Sequence, residues 1–195
     1  MLPEPIAITQ QVIEVLDALG VPYLIGGSFA SSVYGTYRAT ADVDLVADLQ
    51  FAQVELLGKA LRDQFYIDDE MVRDAIRHRR SFSAIHLTTM FKVDVFIPQR
   101  RPYSQAQLER RVKRIIWPEP ECTAYLASAE DNILAKLEWY RMGGEVSERQ
   151  WRDILGVLKV QGDRLDFGHL RRWAADLNVA DLLEKAVGQD LAKNS

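Results

Sequence analysis

At 195 residues with 48% hydrophobic content, the chain is long enough for one generous domain, or a domain with a small appendage, built around a packed core. Its net charge of −4 argues against a protein built to coat nucleic acid, but leaves room for a local basic stripe that serves a phosphate-bearing ligand. Cys122 is the only cysteine, which excludes an intrachain disulfide and reads as a small apolar core residue. Three scattered histidines exclude a His/Cys zinc site, so a metal here is one for oxygen ligands, Mg²⁺ or Mn²⁺.

The opening Met-Leu-Pro-Glu-Pro lacks the basic region and apolar run of a signal peptide, and no apolar stretch approaches the ~20 residues that span a bilayer. The expectation is a cytoplasmic protein with no membrane partner. Val12, Ile13, Val15, Leu16 and Leu19 then recur at helical spacing over residues 8–19, and Gly20 supplies a stop. Val21 to Ile25 reads as a short strand, Gly26-Gly27-Ser28 as a turn, and Phe29 to Tyr34 as a short helix closed by Gly35. A loop from Thr36 to Ala41 leads into a strand, Asp42 to Ala47. Helices follow through Leu56, Leu57, Ala60 and Leu61 and around Met71 to Arg77. Ser81 to Leu87 and Phe91 to Ile97 alternate across Thr88-Thr89-Met90, the pattern of a hairpin.

The segment from Arg100 to Arg114 is basic, and Trp117-Pro118-Glu119-Pro120 punctuates it before the composition turns helical. Ser128 with Asp131, and Ser147 with Gln150, are spaced as capping boxes ahead of two helices. Asp166 is placed to cap a third, Phe167 to Ala175, and a last helix covers Asp181 to Val187. The expected fold class is mixed α/β (α+β). A mixed β-sheet core flanked by helices occupies residues 1–120, and a helical C-terminal part, residues 121–195, packs on it.

Chemistry concentrates at three aspartates. Strands disfavour carboxylates and burying an unpaired one is costly, so Asp42 and Asp44 inside an apolar strand need water, a basic partner or a metal. Alternation points both to one face, with Cα atoms ~6.6 Å apart. Asp94 is a third isolated acid, within "FKVDVFI". If the two strands are neighbours, the three carboxylates converge, and a divalent cation is the simplest compensation for their repulsion. The glycine turn offers the complement: glycines admit close approach of a ligand to the backbone, the helix start presents unpaired N–H groups, and Ser28 adds a hydroxyl. Such a turn also serves as a turn alone, and Asp94 has Lys92 two residues away as an ion-pair partner on the same face. Strand, turn and helix in this order favour phosphate and metal.

"IGGSFASSVYGTYRATADVDLV" resembles the signature of the polymerase-β-type nucleotidyltransferase superfamily: an apolar residue, Gly, Gly or Ser, a spacer of about ten residues, Asp-x-Asp, and a third carboxylate on a later strand. The chain is most similar to minimal nucleotidyltransferases related to the AbiEii toxin family, whose spacer carries Arg-x-Thr, as Arg38 and Thr40 do here. The resemblance implies a nucleotidyltransferase core in which Asp42, Asp44 and Asp94 are catalytic and hold Mg²⁺ or Mn²⁺. It also implies nucleotide contacts at Gly26, Gly27, Ser28, Arg38 and Thr40. "SAEDNILAKLEWYRMGGEVSERQWRDI" is similar to the family's helical motifs and adds Lys136, facing phosphates, and Asp153 beside it. The other readings stay open: Lys136 as a solvated helix residue, Asp153 as the partner of Arg149, and Arg38 as a salt-bridge partner of the acids.

The implied activity moves a nucleoside monophosphate from an NTP, ATP or another ribonucleotide, to a hydroxyl on a tRNA, a protein or a small molecule, releasing pyrophosphate. A cognate antitoxin-type protein is an implied partner. Arg100, Arg101, Arg110, Arg111, Lys113 and Arg114 can hold an RNA or another phosphate-bearing acceptor, or form a solvated arm. The alternative class is a non-catalytic nucleotide- or partner-binding module that kept the fold. "DFG" at Asp166 to Gly168 lacks the other kinase motifs and reads as a helix cap.

Overall fold

The computed structural model describes residues 3–36 and 42–194. In chain order its elements are α1 (Glu4–Ala18), β1 (Tyr23–Ile25), α2 (Gly27–Tyr34), β2 (Asp42–Ala47), α3 (Val54–Leu61), β3 (Phe65–Tyr66), α4 (Asp69–His78), β4 (Ser81–His86) and β5 (Lys92–Phe96). There follow α5 (Pro102–Glu109), β6 (Val112–Trp117), β7 (Cys122–Leu126), α6 (Ala129–Met142), α7 (Glu148–Gln161), α8 (Phe167–Asp176) and α9 (Ala180–Asn194). The fold class is mixed α/β. The chain divides into two compact units, Met1–Gly26 with Thr40–Leu126, and Gly27–Ala39 with Ala127–Ser195.

The first unit holds the whole sheet, in the order β3-β4-β5-β2-β1-β7-β6. β2 runs parallel to β5 and antiparallel to β1; β1 runs parallel to β7. Alternation sets the two faces of β2: Val43, Leu45 and Ala47 are buried, while Asp42, Asp44 and Val46 are half-buried. In β5 Val93 and Val95 are buried and Asp94 is half-buried. α1 packs on α3 and β7, α3 on α4, and α4 on β4. Ile8, Val12, Ile13 and Leu16 form the buried stripe of α1, spaced as the sequence predicts, and each such side chain contributes about 1.5–3 kcal/mol by leaving water.

The segment after Ile97 departs from the sequence reading. Instead of a basic arm followed by helix, the chain forms α5 and then the antiparallel pair β6–β7. β6 lies at the sheet edge, where Lys113, Arg114 and Ile115 are all exposed, so no alternating pattern marks it as a strand. β7 does alternate, with Cys122, Ala124 and Leu126 buried, but over only five residues.

The second unit is helical. Ile133, Leu134, Leu137, Ile154, Leu158, Leu170 and Leu183 form its core. The predicted caps are made: Ser128 Oγ accepts from the Asp131 N–H at 3.1 Å, Ser147 Oγ from Gln150 at 3.3 Å, and Asp166 Oδ1 from His169 at 2.9 Å. The "DFG" triplet is therefore a helix start. No helix of the described residues is long and apolar enough to cross a membrane.

Candidate functional site

The first unit supplies the carboxylates. β2 and β5 are direct neighbours, and their register sets Asp44 opposite Asp94 and Asp42 opposite Lys92. Residues paired across parallel strands share a face, with Cα atoms ~4.8 Å apart, so the two half-buried acids oppose one another. Ser83 Oγ, on β4 and opposite Asp94 on its other side, donates to Asp94 Oδ1 at 2.5 Å. That bond fixes one carboxylate oxygen and leaves the second to accept from another group. Gly26, the last residue of the first unit, donates its N–H to the Asp44 carbonyl at 2.9 Å, so the glycine turn leaves β1 at the level of the acids on β2. Three aspartates offer the hard oxygen donors that Mg²⁺ and Mn²⁺ prefer. Among the described residues, no group of three or more His, Cys, Asp or Glu side chains is gathered closely enough to hold a metal ion.

The second unit supplies the phosphate-type groups. Gly27 and Ser28 open α2, and Gly27 adopts φ +57°, a left-handed conformation that an L side chain enters at a cost of about 1–2 kcal/mol. The first-turn N–H groups of α2 have no intrahelical acceptor. α2 packs against both α6 and α7. Ser31 Oγ donates to the Gly27 carbonyl at 3.1 Å and accepts from Asn132 Nδ2 of α6 at 2.8 Å, which ties the start of α2 to α6. Lys136, on α6 and 7% exposed, donates from Nζ to Asp153 Oδ2 of α7 at 2.9 Å. Lys136 is therefore not a solvated helix residue, and Asp153 takes this lysine as an ion-pair partner.

Some contacts of the arrangement go beyond the motif that marks their residues: Asp131 is read from the sequence only as part of a helix cap. Asp131 is fully buried; it accepts from Ser128 Oγ on Oδ2 at 2.9 Å and pairs with His169 Nε2 through Oδ1, also at 2.9 Å. Glu130 Oε1 accepts the Asp166 N–H at 2.9 Å. These contacts join the start of α6 to the start of α8 and fix the helix that carries Asn132 and Lys136. Ser83 is silent in sequence, since one serine in an alternating strand gives no sign of the residue opposite. Arg38 and Thr40 lie outside the described residues.

No protein-family model matches the chain, and no curated protein matches it by sequence. Solved structures do resemble it. The structure of ANT(2″)-Ia in complex with adenylyl-2″-tobramycin superposes with a TM-score of 0.58 at 11% identity, covering 89% of this chain and 96% of that one. The lincomycin-bound lincosamide antibiotic adenylyltransferase LnuA gives 0.50 at 12% identity, covering 82% and 98%. An antigenic nucleotidyltransferase-like protein from Paracoccidioides brasiliensis gives 0.51 at 19% identity, covering 91% and 92%. At such identities the likeness carries the fold and not the chemistry. The chain has a nucleotidyltransferase fold.

Proposed function

We propose that the protein is a metal-dependent nucleotidyltransferase that moves a nucleoside monophosphate from an NTP, ATP or another ribonucleotide, to a hydroxyl of a tRNA, protein or small-molecule acceptor. The observation that carries this reading is the placement of Asp44 opposite Asp94 on neighbouring parallel strands of a nucleotidyltransferase fold. Asp42, Asp44 and Asp94 would hold Mg²⁺ or Mn²⁺ by drawing closer around the ion than they stand, since the structure opposes Asp44 to Asp94 but gathers no three described acids into a metal site. When bound, the ion supplies charge neutralisation on the phosphates and lowers the pKa of the attacking hydroxyl.

The remaining work falls to the chain's own groups. Asp94, oriented by Ser83, accepts the acceptor's hydroxyl proton; the oxygen bonds to the α-phosphorus, and the bond to the departing pyrophosphate breaks. Ser28 and the first N–H groups of α2 cradle the triphosphate, with Gly26 and Gly27 admitting it to the backbone. Lys136, aimed by Asp153, meets phosphate charge, and Arg38 and Thr40 contribute nucleotide contacts. One structure it resembles holds adenylyl-2″-tobramycin and another is a lincosamide antibiotic adenylyltransferase bound to lincomycin, which favours ATP as donor and places small hydroxylated molecules among the acceptors to try.

The test incubates the purified protein with Mg²⁺, each α-labelled NTP in turn, and an extract split into RNA, protein and small-molecule fractions. Label entering one fraction, and absent with Asp44→Asn, supports the reading. Mg-NTP that binds tightly without turnover on any fraction overturns it in favour of a non-catalytic nucleotide-binding module.

A further inference from the structure

Beyond the C-terminal ends of β2 and β5 the first unit carries an open groove of about 710 Å³. It begins around Asp48 and Pro98, each four residues past Asp44 or Asp94, or ~13 Å along the strands. None of the three aspartates or the glycine-turn residues lines it, whereas Arg100, Arg101 and Arg111 of the basic run do. We propose that this groove binds a phosphate-bearing ligand, through Arg100, Arg101 and Arg111, separately from the carboxylates on β2 and β5.

The charge balance gives the sign of the ligand. Arg79, Arg100, Arg101 and Arg111 line the groove against Asp48 and Glu109, an excess of positive charge on a chain whose net charge is −4. Asp48 is matched to Arg79, at 3.7 Å, and Arg79 also donates to the Pro98 carbonyl at 3.2 Å, so this pair builds the wall. Beside that pair, Arg100 and Arg111 line the groove with one further acid, Glu109. A concentrated local cation field on an acidic protein is an arrangement for an anion.

The guanidinium of Arg111 is set in place ahead of any ligand. Its Cζ lies 4.7 Å from the centroid of the Tyr125 ring, and Nη1 donates to the Leu108 carbonyl at 2.6 Å. Its Nε is buried without a hydrogen-bond partner, so the fork is only partly used. A planar guanidinium held by stacking presents a fixed cation to phosphate, with its buried Nε out of a ligand's reach. α5 begins in the same groove at Pro102, with its Ser104 N–H donating to the Arg101 carbonyl at 3.1 Å, so the groove's attraction for an anion comes from the arginine side chains. Arg101 Nε reaches Ser104 Oγ at 3.4 Å. Pro22, Pro98 and Leu108 add apolar wall, and the volume is that of a site for a molecule of nucleotide size or for a short stretch of a strand.

The test titrates the full chain by calorimetry, in EDTA so that no divalent ion is present, with inorganic pyrophosphate in one arm and a short 5′-phosphorylated oligoribonucleotide in the other. Arg100→Glu and Gln105→Glu each put a negative charge at an exposed position of the groove. Each is expected to weaken binding about tenfold or more, while thermal melting shows them folded. Two reporters that weaken together keep the result independent of either variant's folding. Binding of pyrophosphate alone identifies a free phosphate ligand. Tighter binding of the oligonucleotide, with a steep fall in added salt, identifies a nucleic-acid strand as the source of the phosphates. Either supports the groove. Failure of both probes to bind overturns the proposal. So does binding that both groove variants leave unchanged, or that Ser28→Ala weakens while they do not. These readouts require no turnover, so loss of the nucleotidyl-transfer reading leaves them unaffected.

Discussion

Lys136 Nζ and Asp153 Oδ2 meet at 2.9 Å with side chains only 9% and 13% exposed, a largely desolvated ion pair between α6 and α7. Replacing the lysine alone removes the cation from a nearly buried carboxylate, whereas replacing both removes the charge problem with the pair. Lys136→Met is expected to lower stability by about 3 kcal/mol in urea denaturation, and Lys136→Met with Asp153→Leu to recover most of it. The double variant then isolates the lysine's role toward nucleotide. If Lys136 meets phosphate, the folded double variant binds Mg-ATP at least about tenfold more weakly in calorimetry. Unchanged affinity would make the pair a structural clamp.

Asp44 and Asp94 make the opposite kind of relationship, two like charges across neighbouring strands. Like charges directly opposed disfavour the pairing by about 0.2–1 kcal/mol. Asp44→Asn is therefore expected to melt no lower than the parent in EDTA, while nucleotidyl transfer falls by at least about 10²-fold. A thermal melt beside a transfer assay reads both. A variant that melts lower and still transfers would make Asp44 a structural residue.

Much of this arrangement is visible in the residues themselves, because isolated acids in apolar strands, a Gly-Gly-Ser turn and Ser-x-x-Asp caps each have a local physical cause. What the chain does not write locally is register. A turn made of Thr88, Thr89 and Met90 alone would set Asp94 opposite Ala84. The structure closes the hairpin one residue differently, with the His86 N–H bonded to the Phe91 carbonyl, and so brings Ser83 to Asp94. A one-residue slip exchanges the faces of a strand, so no reading of β4 by itself finds this hydrogen bond. The edge strand β6 was hidden for a related reason: with Lys113, Arg114 and Ile115 all in solvent, burial imposes no alternation. The basic run marks Arg111 in the sequence, but which of its arginines share a groove depends on α5 and on that strand and is not written locally. The Asp131–His169 contact spans 38 residues between two helices whose only local signals are their caps.

Cys122 gives a pH-dependent prediction. Its thiol is buried and donates to Gln10 Oε1 at 2.8 Å; burial first, and the charge of Glu14 second, push its pKa up. The folded state thus favours the neutral thiol, while the thiolate is the form that alkylates. Labelling by iodoacetamide near pH 8 is expected to be at least about tenfold slower in the folded chain than in urea, with its rate rising at a higher pH than that of the unfolded chain. The same displacement gives a stability contribution that is complete below the unfolded thiol's pKa and is lost as pH rises through the folded value. Equal labelling rates for the folded and unfolded chain would show the thiol to be accessible.

The last prediction concerns the helix that opens with Gly27 and Ser28. At Gly35, just past α2, an added Cβ would lie 2.9 Å from the carbonyl carbon of Gly156 and from the nitrogen of Val157, and 3.0 Å from the Ser31 carbonyl. These are backbone atoms, so no rotamer change relieves the overlap, and α2 must shift against α7. Gly35→Ala is expected to lower stability by about 1–3 kcal/mol, seen as a melting point several degrees lower. Gly188→Ala is the matched control: it lies in α9, its added Cβ meets nothing within 4 Å, and helix propensity favours alanine there by up to about 1 kcal/mol. The two substitutions add the same atom and should move the melting point in opposite directions. If both stabilise, α2 has room against α7, and the close approach at Gly35 does not hold the helix that carries Ser28.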